Sequence, residues 1–497
     1  MVALNELLRL AGLGAHASQN PQVESVTDRL EDVSVGSLFV GVRGARTDGS
    51  TLFTDAIQRG AVAVASEGDP DSELGVAHVG LQSDRRDLAR LAAAFYDNPS
   101  KDLSIVGVTG TNGKTTTTFI LDSILRAHGS RPAVLGTIHY ETGSSSRTAS
   151  LTTPAAVELQ ELLADARDAD RRNVVMEVSS HALAQHRVHA VEFDVACFTN
   201  ITHDHLDFHG DMKSYAAAKA RLLRHLKRWG TAVLNADDAT VCLLAEELPD
   251  DAHVMWFSVK PRARADLTVS LETMAADGST FILHTPKGSV SIQTKLMGGH
   301  NISNVLAAVG CALAMGVSLS AIRDGLRRLD GVPGRLERVD VSGGVTAVVD
   351  YAHTPDAMRR VLAHVRPLVR GRLITVFGCG GDRDRAKRSF MGRAASDWSD
   401  EVVLTTDNPR GEDPSRIVSD ILSGMGGNAT LSHEVDRGAA IRSALETATQ
   451  GDWVLVLGKG HETTLKLATG SVPFDDRQVI REWETTSSTQ RAMGGVV

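Results

Sequence analysis

The run Gly110-Thr111-Asn112-Gly113-Lys114-Thr115-Thr116 places two glycines, a lysine and three hydroxyls in seven positions. Glycines let backbone N–H groups close on phosphate oxygens, and a helix N-terminus behind them adds positive potential. Lys114 would reach the β- and γ-phosphates of a nucleotide, and Thr115 or Thr116 would contact Mg²⁺. The spacing is not the usual G-x-x-x-x-G-K-[ST], because Val108 stands where the first glycine belongs. Context supports the phosphate-loop reading: an apolar strand, Leu103–Val108, precedes the loop and an apolar helix, Phe119–His128, follows it.

Three further groups carry chemistry. Glu177 ends the predicted strand Asn173–Val178, the edge where ligands gather in parallel sheets, and a carboxylate there can hold Mg²⁺. Positions 203–209 then pack three His and two Asp after another strand, Val195–Thr199. One reading is a zinc site, although no Cys or H-E-x-x-H frame accompanies the run. The preferred reading is a loop facing phosphate and Mg²⁺ to which His205 alone contributes. The third group is Gly378–Arg388, Asp407-Asn408-Pro409-Arg410 and Gly458-Lys459-Gly460-His461-Glu462, each after a predicted strand. Loops at successive strand ends converge on one face, and their mixed Arg, Asp and Glu suit a zwitterion such as an amino acid.

The elements that position these groups alternate strand and helix, which predicts α/β architecture with a mainly parallel, doubly wound sheet. Segments 36–41 and Ala61–Ala65 read as strands, with helices Leu52–Arg59 and Asp84–Tyr96. A turn cluster at Asp97–Ser100 ends a first unit. Lys213–Trp229 reads as one basic, Ala-rich helix. Residues 264–297 read as an antiparallel insertion, followed by helices Asn301–Met315 and Ser320–Leu329 and a break at Gly331–Gly334. Strands Val345–Asp350, Leu373–Phe377, Glu401–Thr405 and Trp453–Leu457 restart the alternation. The polar tail Thr485–Val497 is expected to fray.

Length and composition agree. At 497 residues, the chain has room for about three domains. Apolar residues at 42% and charged residues at 23% exclude disorder throughout, and 4% aromatics leaves the cores to Val, Leu, Ile and Ala. The net charge of −9 argues against nucleic-acid coating. Four scattered cysteines indicate neither a disulfide framework nor a zinc knuckle. With no signal-peptide pattern and no apolar run near the roughly 18 residues of a membrane span, a cytoplasmic protein is expected. A phosphate loop, a Mg²⁺ carboxylate and a zwitterion pocket suggest ATP-driven ligation. A motor-type NTPase without ligase activity and a nucleotide-sensing regulator are the competing classes.

The quoted residues also resemble a known family. GTNGKTT at 110–116, EVSSH at 177–181, TN-x-x-x-DH-x-D at 199–207, H-N-x-x-N at 300–304 and D-x-x-H at 350–353 look like the Mur ligases. GCGGDRD at 378–384, DNPR at 407–410 and GKGHE at 458–462 look like the members that add a diamino acid.

The resemblance implies three domains: 1–99 for the UDP-substrate, 100–333 as a central P-loop ATPase, and 334–497 as a Rossmann-like, amino-acid-binding domain. It implies a ligase using ATP and Mg²⁺ to join meso-2,6-diaminopimelate to UDP-N-acetylmuramoyl-L-alanyl-D-glutamate through an acyl phosphate; a monomer is expected, although no feature of the sequence specifies it. L-Lysine or another diamino acid is the alternative amine.

By the same resemblance, Gly110, Thr111, Asn112, Gly113, Lys114, Thr115 and Thr116 cradle the phosphates. Asn304, Arg335 and Asp350 hold the adenosine end. Thr115, Glu177 and His205 hold metal, and Lys219 supports a second Mg²⁺ once carbamylated. Ala45, Arg46, Thr47, Thr152, Thr153, Ser179, Gln185 and Arg187 meet the UDP-substrate. Arg383, Asp407, Asn408, Pro409, Arg410, Gly458 and Glu462 form the amino-acid pocket. DNPR points to diaminopimelate, whose extra carboxylate Arg410 can pair. Arg29-Leu30-Glu31 stands where many members carry Asp-Ser-Arg, and Leu151 replaces a polar residue seen in some.

Overall fold

Val, Ile, Leu and Ala runs of five or six residues build the interior strands, as expected where helices cover both faces of a parallel sheet. The computed structural model describes residues 1–44, 48–68, 74–260, 262–275 and 277–494, the side chains of 489–494 excepted. It divides into two compact units. The first is Met1–Val269 with Leu283–Val290 and Ser303–Leu326; the second is Ser270–Ile282, Ser291–Ile302 and Arg327–Val497.

The first unit contains two parallel-rich sheets. Strands Ser25–Thr27, Ser37–Val40, Ala63–Glu67 and Ala77–Leu81 pair in that order, all parallel. The larger sheet has eight strands. Its parallel centre runs Ala133–Leu135, Asn173–Glu177, Ser104–Thr109, Phe193–Phe198, Leu226–Asn235, His253–Phe257. His139–Glu141 and Ser146–Thr148 extend one edge antiparallel. Its core includes fully buried Ile105, Leu159, Met176, Phe193 and Phe198. Thr268–Ala275, Gly278–Thr285 and Gly288–Thr294 form a separate three-stranded sheet.

The second unit holds a six-stranded sheet in the order Glu337–Val339, Thr346–Asp350, Trp453–Leu457, Leu373–Phe377, Glu401–Leu404, Thr430–His433. The first strand is antiparallel and the other five are parallel. Helices cover both faces, giving two apolar layers, one around Val348, Leu362 and Leu455 and one around Val349, Ile441 and Val454. A hairpin, Thr464–Leu467 with Gly470–Pro473, follows the last interior strand.

Two expectations fail. Lys213–Trp229 is not one helix: the α-helix is Met212–Ala220, a short 3₁₀ turn spans Arg221–His225, and Leu226 opens a ten-residue strand. Tertiary pairing overrides helical propensity there, because Leu226 pairs with Phe193 and Thr231 with both Val195 and His253. The tail does not fray within the described residues, since Asp476–Gly494 is helical. Its hydroxyls bond back along the helix, Thr485 Oγ1 to Arg481 O and Thr486 Oγ1 to Glu482 O, each at 2.9 Å.

Candidate active site

The phosphate-loop run lies where the sequence places it. Strand Ser104–Thr109 ends, the loop turns, and the helix Lys114–Ala127 starts at Lys114 itself. Two glycines are required by sterics. Gly110 and Gly113 have φ of 149° and 90°, and a side chain would collide with Thr199 Oγ1 at the first and Asn304 Oδ1 at the second. Asn200 clamps the loop: its backbone oxygen accepts from Thr111 N (2.8 Å), its Oδ1 accepts from Asn112 N (3.0 Å), and its Nδ2 donates to Asn112 O (3.0 Å). Lys114 Nζ donates to Gly110 O (2.8 Å) and Thr111 O (3.0 Å), folding over its own loop. Thr115 and Thr116 are buried.

Glu177 is not a solvent-facing strand end. It is 1% exposed, and Oε2 accepts from Thr115 Oγ1 (3.0 Å) and Thr137 Oγ1 (3.0 Å), while Oε1 accepts from Thr137 N (2.8 Å). Lys219 is equally sealed at 1%, although its sequence context reads as a helix surface. Its Nζ donates to Gly110 O (2.9 Å) and lies 4.7 Å from the centre of the Tyr215 ring. Burial, reinforced by the Lys114 cation, drives the Lys219 ammonium well below its ordinary pKa, which favours the neutral amine.

His205 caps the short helix Leu206–His209 with φ of 53°. Its Nε2 lies 3.4 Å from Asp204 Oδ2. Its ring is edge-on to His181 at 4.8 Å. Desolvation lowers the His205 pKa, with Asp204 opposing and Lys114 and Lys219 adding to it. Among the described residues no group of three or more His, Cys, Asp or Glu is arranged so that it could hold a metal ion.

The residues expected at the muramoyl-dipeptide form one hydrogen-bonded network. Thr137 Oγ1, whose proton goes to Glu177, lies within hydrogen-bond distance of Thr152 Oγ1 (3.2 Å). Thr153 Oγ1 donates to Glu177 O (2.9 Å) and accepts from Ser179 N (3.0 Å). Arg187 donates to Thr153 O (3.0 Å) and twice to Gln185 Oε1 (3.0 and 2.6 Å). The network therefore converges on Glu177, Thr153 on its backbone oxygen and Thr137 on the carboxylate that the Thr115 hydroxyl also meets. Ala45, Arg46 and Thr47 lie outside the described residues.

The second unit assembles the other group. Asp407 and Asn408 are buried, and Asp407 Oδ1 accepts from Asn408 N (2.6 Å). Asn408 Nδ2 donates to Glu462 Oε2 (2.8 Å). Lys459, fully buried, donates to Asn408 Oδ1 (3.2 Å) and Glu462 Oε2 (2.8 Å). Burial raises the Glu462 carboxyl, but Lys459 beside it outweighs this and leaves it below its usual range. Arg410, at φ 53°, donates from Nη1 to Gly381 O (2.9 Å) and Asn408 O (3.2 Å). Arg383 is exposed, and both its Cγ and Arg410 Nη1 lie beside Gly380. Gly458 N donates to Asp350 O (3.1 Å), and Pro409 O accepts from Glu412 N (3.0 Å).

Asn304 sits in the first unit against Gly113. Arg335 and Asp350 belong to the second. Arg335 stacks 4.6 Å over the Tyr351 ring, which faces His461 at 5.0 Å. Asp350 Oδ2 accepts from Leu336 N (2.7 Å) and Oδ1 from Ala352 N (2.8 Å), while burial raises its pKa against the pull of Arg335.

Sequence reasoning missed Thr137, Asn200, Lys459, Arg388 and Glu412. Lys459, Asn200 and Arg388 lay inside quoted runs, but nothing local marked Thr137 or Glu412.

The model described as "Mur ligase middle domain" matches residues 108–312, and "Mur ligase, glutamate ligase domain" matches 334–460. A protein of Thermosynechococcus vestitus named UDP-N-acetylmuramoyl-L-alanyl-D-glutamate--2,6-diaminopimelate ligase is 45% identical over 484 residues, covering 96% of this chain and 97% of its own. One of Gloeobacter violaceus with the same name is 45% identical over 481 residues, at 96% and 97% coverage. A solved structure of a ligase of that name aligns with TM-score 0.66 at 33% identity, covering 94% and 95% of the two chains. A MurF ligase from Thermotoga maritima in complex with ADP shares the fold at 20% identity, with TM-score 0.64 and 94% and 98% coverage.

Proposed function

The chain belongs to the Mur ligase family, and from that membership we propose the following reaction and division of labour. The protein is an ATP-dependent amide ligase that adds meso-2,6-diaminopimelate to UDP-N-acetylmuramoyl-L-alanyl-D-glutamate in peptidoglycan precursor synthesis. Residues 1–99 serve the UDP end, 100–333 bind ATP, and 334–497 bind the amine. It works in the cytoplasm as a monomer; among the described residues no helix is long and apolar enough to cross a membrane.

The γ-phosphoryl group of ATP passes to the terminal carboxylate of the D-glutamyl residue. The diaminopimelate amine attacks that acyl phosphate, and the tetrahedral intermediate expels phosphate. Such chemistry depends on positioning and on neutralising charge. Gly110–Thr116 hold the phosphates through backbone N–H groups, and Lys114 swings from Gly110 O and Thr111 O to the transferred group. Thr152, Thr153, Ser179, Gln185 and Arg187 hold the muramoyl-dipeptide. Their chain of hydrogen bonds to Glu177 supports placing the acceptor carboxylate beside the phosphate loop. Asn304, Arg335 and Asp350 hold the adenosine end.

The Thr115 hydroxyl and the Glu177 carboxylate, buried side by side at a helix N-terminus, are hard oxygen donors that suit Mg²⁺, with His205 as a third ligand. Bound there, Mg²⁺ would offset negative charge on the β- and γ-phosphate oxygens. Lys219 is the site of carbamylation. The amine in its neutral form, which burial favours, would add CO₂ to give R–NH–COO⁻ and release one proton, leaving a carboxylate-like group that could hold a second Mg²⁺.

Arg383, Asp407, Asn408, Pro409, Arg410, Gly458 and Glu462 form the diaminopimelate pocket. One observation carries the assignment of the amine: Arg410 is held at the pocket by two backbone carbonyls, one of them that of Asn408, whose side chain donates to the Glu462 carboxylate and whose amide donates to Asp407. A pocket with both signs matches a zwitterion, and the additional carboxylate of diaminopimelate supplies a partner for Arg410 that lysine lacks. Incubation with ATP, Mg²⁺ and the UDP-muramoyl-dipeptide, followed by detection of the UDP-muramoyl-tripeptide, tests the reaction. Tripeptide formed with lysine in preference to diaminopimelate would overturn the amine assignment.

A further inference from the structure

Arg388 and Glu412 are two charges taken out of water behind the amine pocket. Their side chains are 0% and 4% exposed. Removing ions from water is costly unless their lone pairs and protons find partners; here both carboxylate oxygens and both terminal nitrogens of the guanidinium do, and only Arg388 Nε is left without one. Arg388 meets Glu412 in a bidentate pair, Nη1 to Oε1 at 2.9 Å and Nη2 to Oε2 at 2.8 Å. Arg388 also donates to Asp420 Oδ2 (2.8 Å) and Gly380 O (3.1 Å). Glu412 also accepts from Asp382 N (3.2 Å) and pairs with Arg385 Nη2 (3.0 Å). The surrounding cations hold the Glu412 carboxyl down to about 2, the Arg388 hydrogen bonds being the largest cause.

This pair sits at a junction of two loops. Gly381 N donates to Asn408 O (2.9 Å), and Gly411 N donates to Asp382 Oδ2 (3.0 Å). Gly381 O in turn receives Arg410 Nη1. The Arg410 guanidinium is thus placed by a carbonyl one residue from the amide that Glu412 holds. The loops approach so closely at Gly381 that a side chain there would run into Pro409 O.

We propose that the Arg388–Glu412 ion pair is the positioning device of the amine pocket, locking Gly380–Asp382 against Asn408–Arg410 and so fixing the amine-binding guanidinium. This rests on the reading of that pocket as the diamino-acid site. Arg388, being sealed, acts through Arg410 rather than on the substrate. A displaced guanidinium weakens the hold on the amine and leaves the ATP and UDP-substrate sites untouched.

The test is steady-state kinetics of Glu412→Gln, which keeps shape and removes charge, and of Arg388→Lys, which keeps charge and loses the bidentate fork. Amide hydrogen exchange at Gly381 and Asp382 is measured in parallel. The expected result for Glu412→Gln is a KM for diaminopimelate raised about tenfold, with unchanged KM for ATP and UDP-muramoyl-dipeptide. Exchange at the two amides should quicken, and Arg388→Lys should fall between. A folded Glu412→Gln protein with wild-type KM and exchange overturns the proposal. An equal rise in all three KM values also overturns it, since that is a general structural role. Should Arg388→Lys fail to fold, Glu412→Gln and its exchange rates decide. If the wild-type chain ligates lysine instead, the amine assignment fails, and the ion pair is read on the KM for lysine.

Discussion

The hydroxyl of Thr115 donates a 3.0 Å hydrogen bond to Glu177 Oε2, joining two residues 62 positions apart. It ties the start of the helix behind the phosphate loop to the end of the neighbouring strand, and Thr153 and Ser179 continue the link toward the acceptor substrate. In the proposed reaction this is where phosphoryl transfer takes place.

Glu177→Gln should therefore abolish most turnover while preserving the hydrogen-bonded frame. A fall in kcat of about a hundredfold or more is expected, with little change in KM for the amine. Thr115→Ser should retain activity and Thr115→Val should not. Wild-type kcat in Glu177→Gln, with unaltered Mg²⁺ dependence, would remove the carboxylate from the mechanism.

Arg410→Ala should lower kcat/KM for diaminopimelate by about a hundredfold or more, because one substrate carboxylate is left without its bidentate partner. Lysine, which lacks that carboxylate, should be affected far less. Near-normal diaminopimelate kinetics in this variant would sink the pocket assignment.

The Lys219 amine is sealed and driven toward its neutral form. Turnover should drop in CO₂-depleted buffer and recover when bicarbonate is restored. Lys219→Arg, which cannot form a carbamate, should stay inactive in both. Equal rates with and without CO₂ would contradict carbamylation.

Arg437 and Asp476 form a fully buried ion pair, Nε to Oδ1 at 2.7 Å, anchoring the C-terminal helix beside the pocket. Arg437 also donates to Thr406 O and Leu457 O. Asp476→Asn leaves an uncompensated buried charge and should cost about 3–5 kcal/mol. Chemical denaturation measures this, and a loss within error of zero would show the charge is otherwise satisfied.

Acid stability should fall in two stages. His181, His186, His225 and His461 are lowered to about 4, chiefly by burial. Each binds a proton when unfolded near pH 6.5 but not when folded, so stability declines as pH drops from 6.5 toward 4. Glu412 is held at about 2 against an ordinary 4.5, so its contribution is full above 4.5 and is lost as pH falls toward 2. Melting temperature against pH should show both limbs, and His181→Asn should flatten the first. A melting temperature constant from pH 6.5 to 4 would rule out the histidine stage.

Much of this was readable in the chain because contiguous runs carry their own context. The phosphate loop follows an apolar strand, so its helix start could be placed, and the polar loops near 378, 407 and 458 each follow interior strands. Residues that act across the fold left no such trace. Lys219 looks like any lysine on an Ala-rich helix until Tyr215 and Gly110 enclose it. Arg388 and Glu412 are ordinary charges 24 positions apart, and only the sheet brings them together. Leu226–Trp229 continues a helical pattern locally, yet two neighbouring strands recruit the segment into the sheet.

The central claim, amide ligation specific for diaminopimelate, is tested most directly by phosphate release from ATP with UDP-muramoyl-L-alanyl-D-glutamate present and each amine added in turn. The account predicts strong stimulation by meso-diaminopimelate, weak stimulation by lysine, and none when the dipeptide is omitted. Release that no amine stimulates, or that proceeds equally without the dipeptide, would contradict ligation and leave an NTPase.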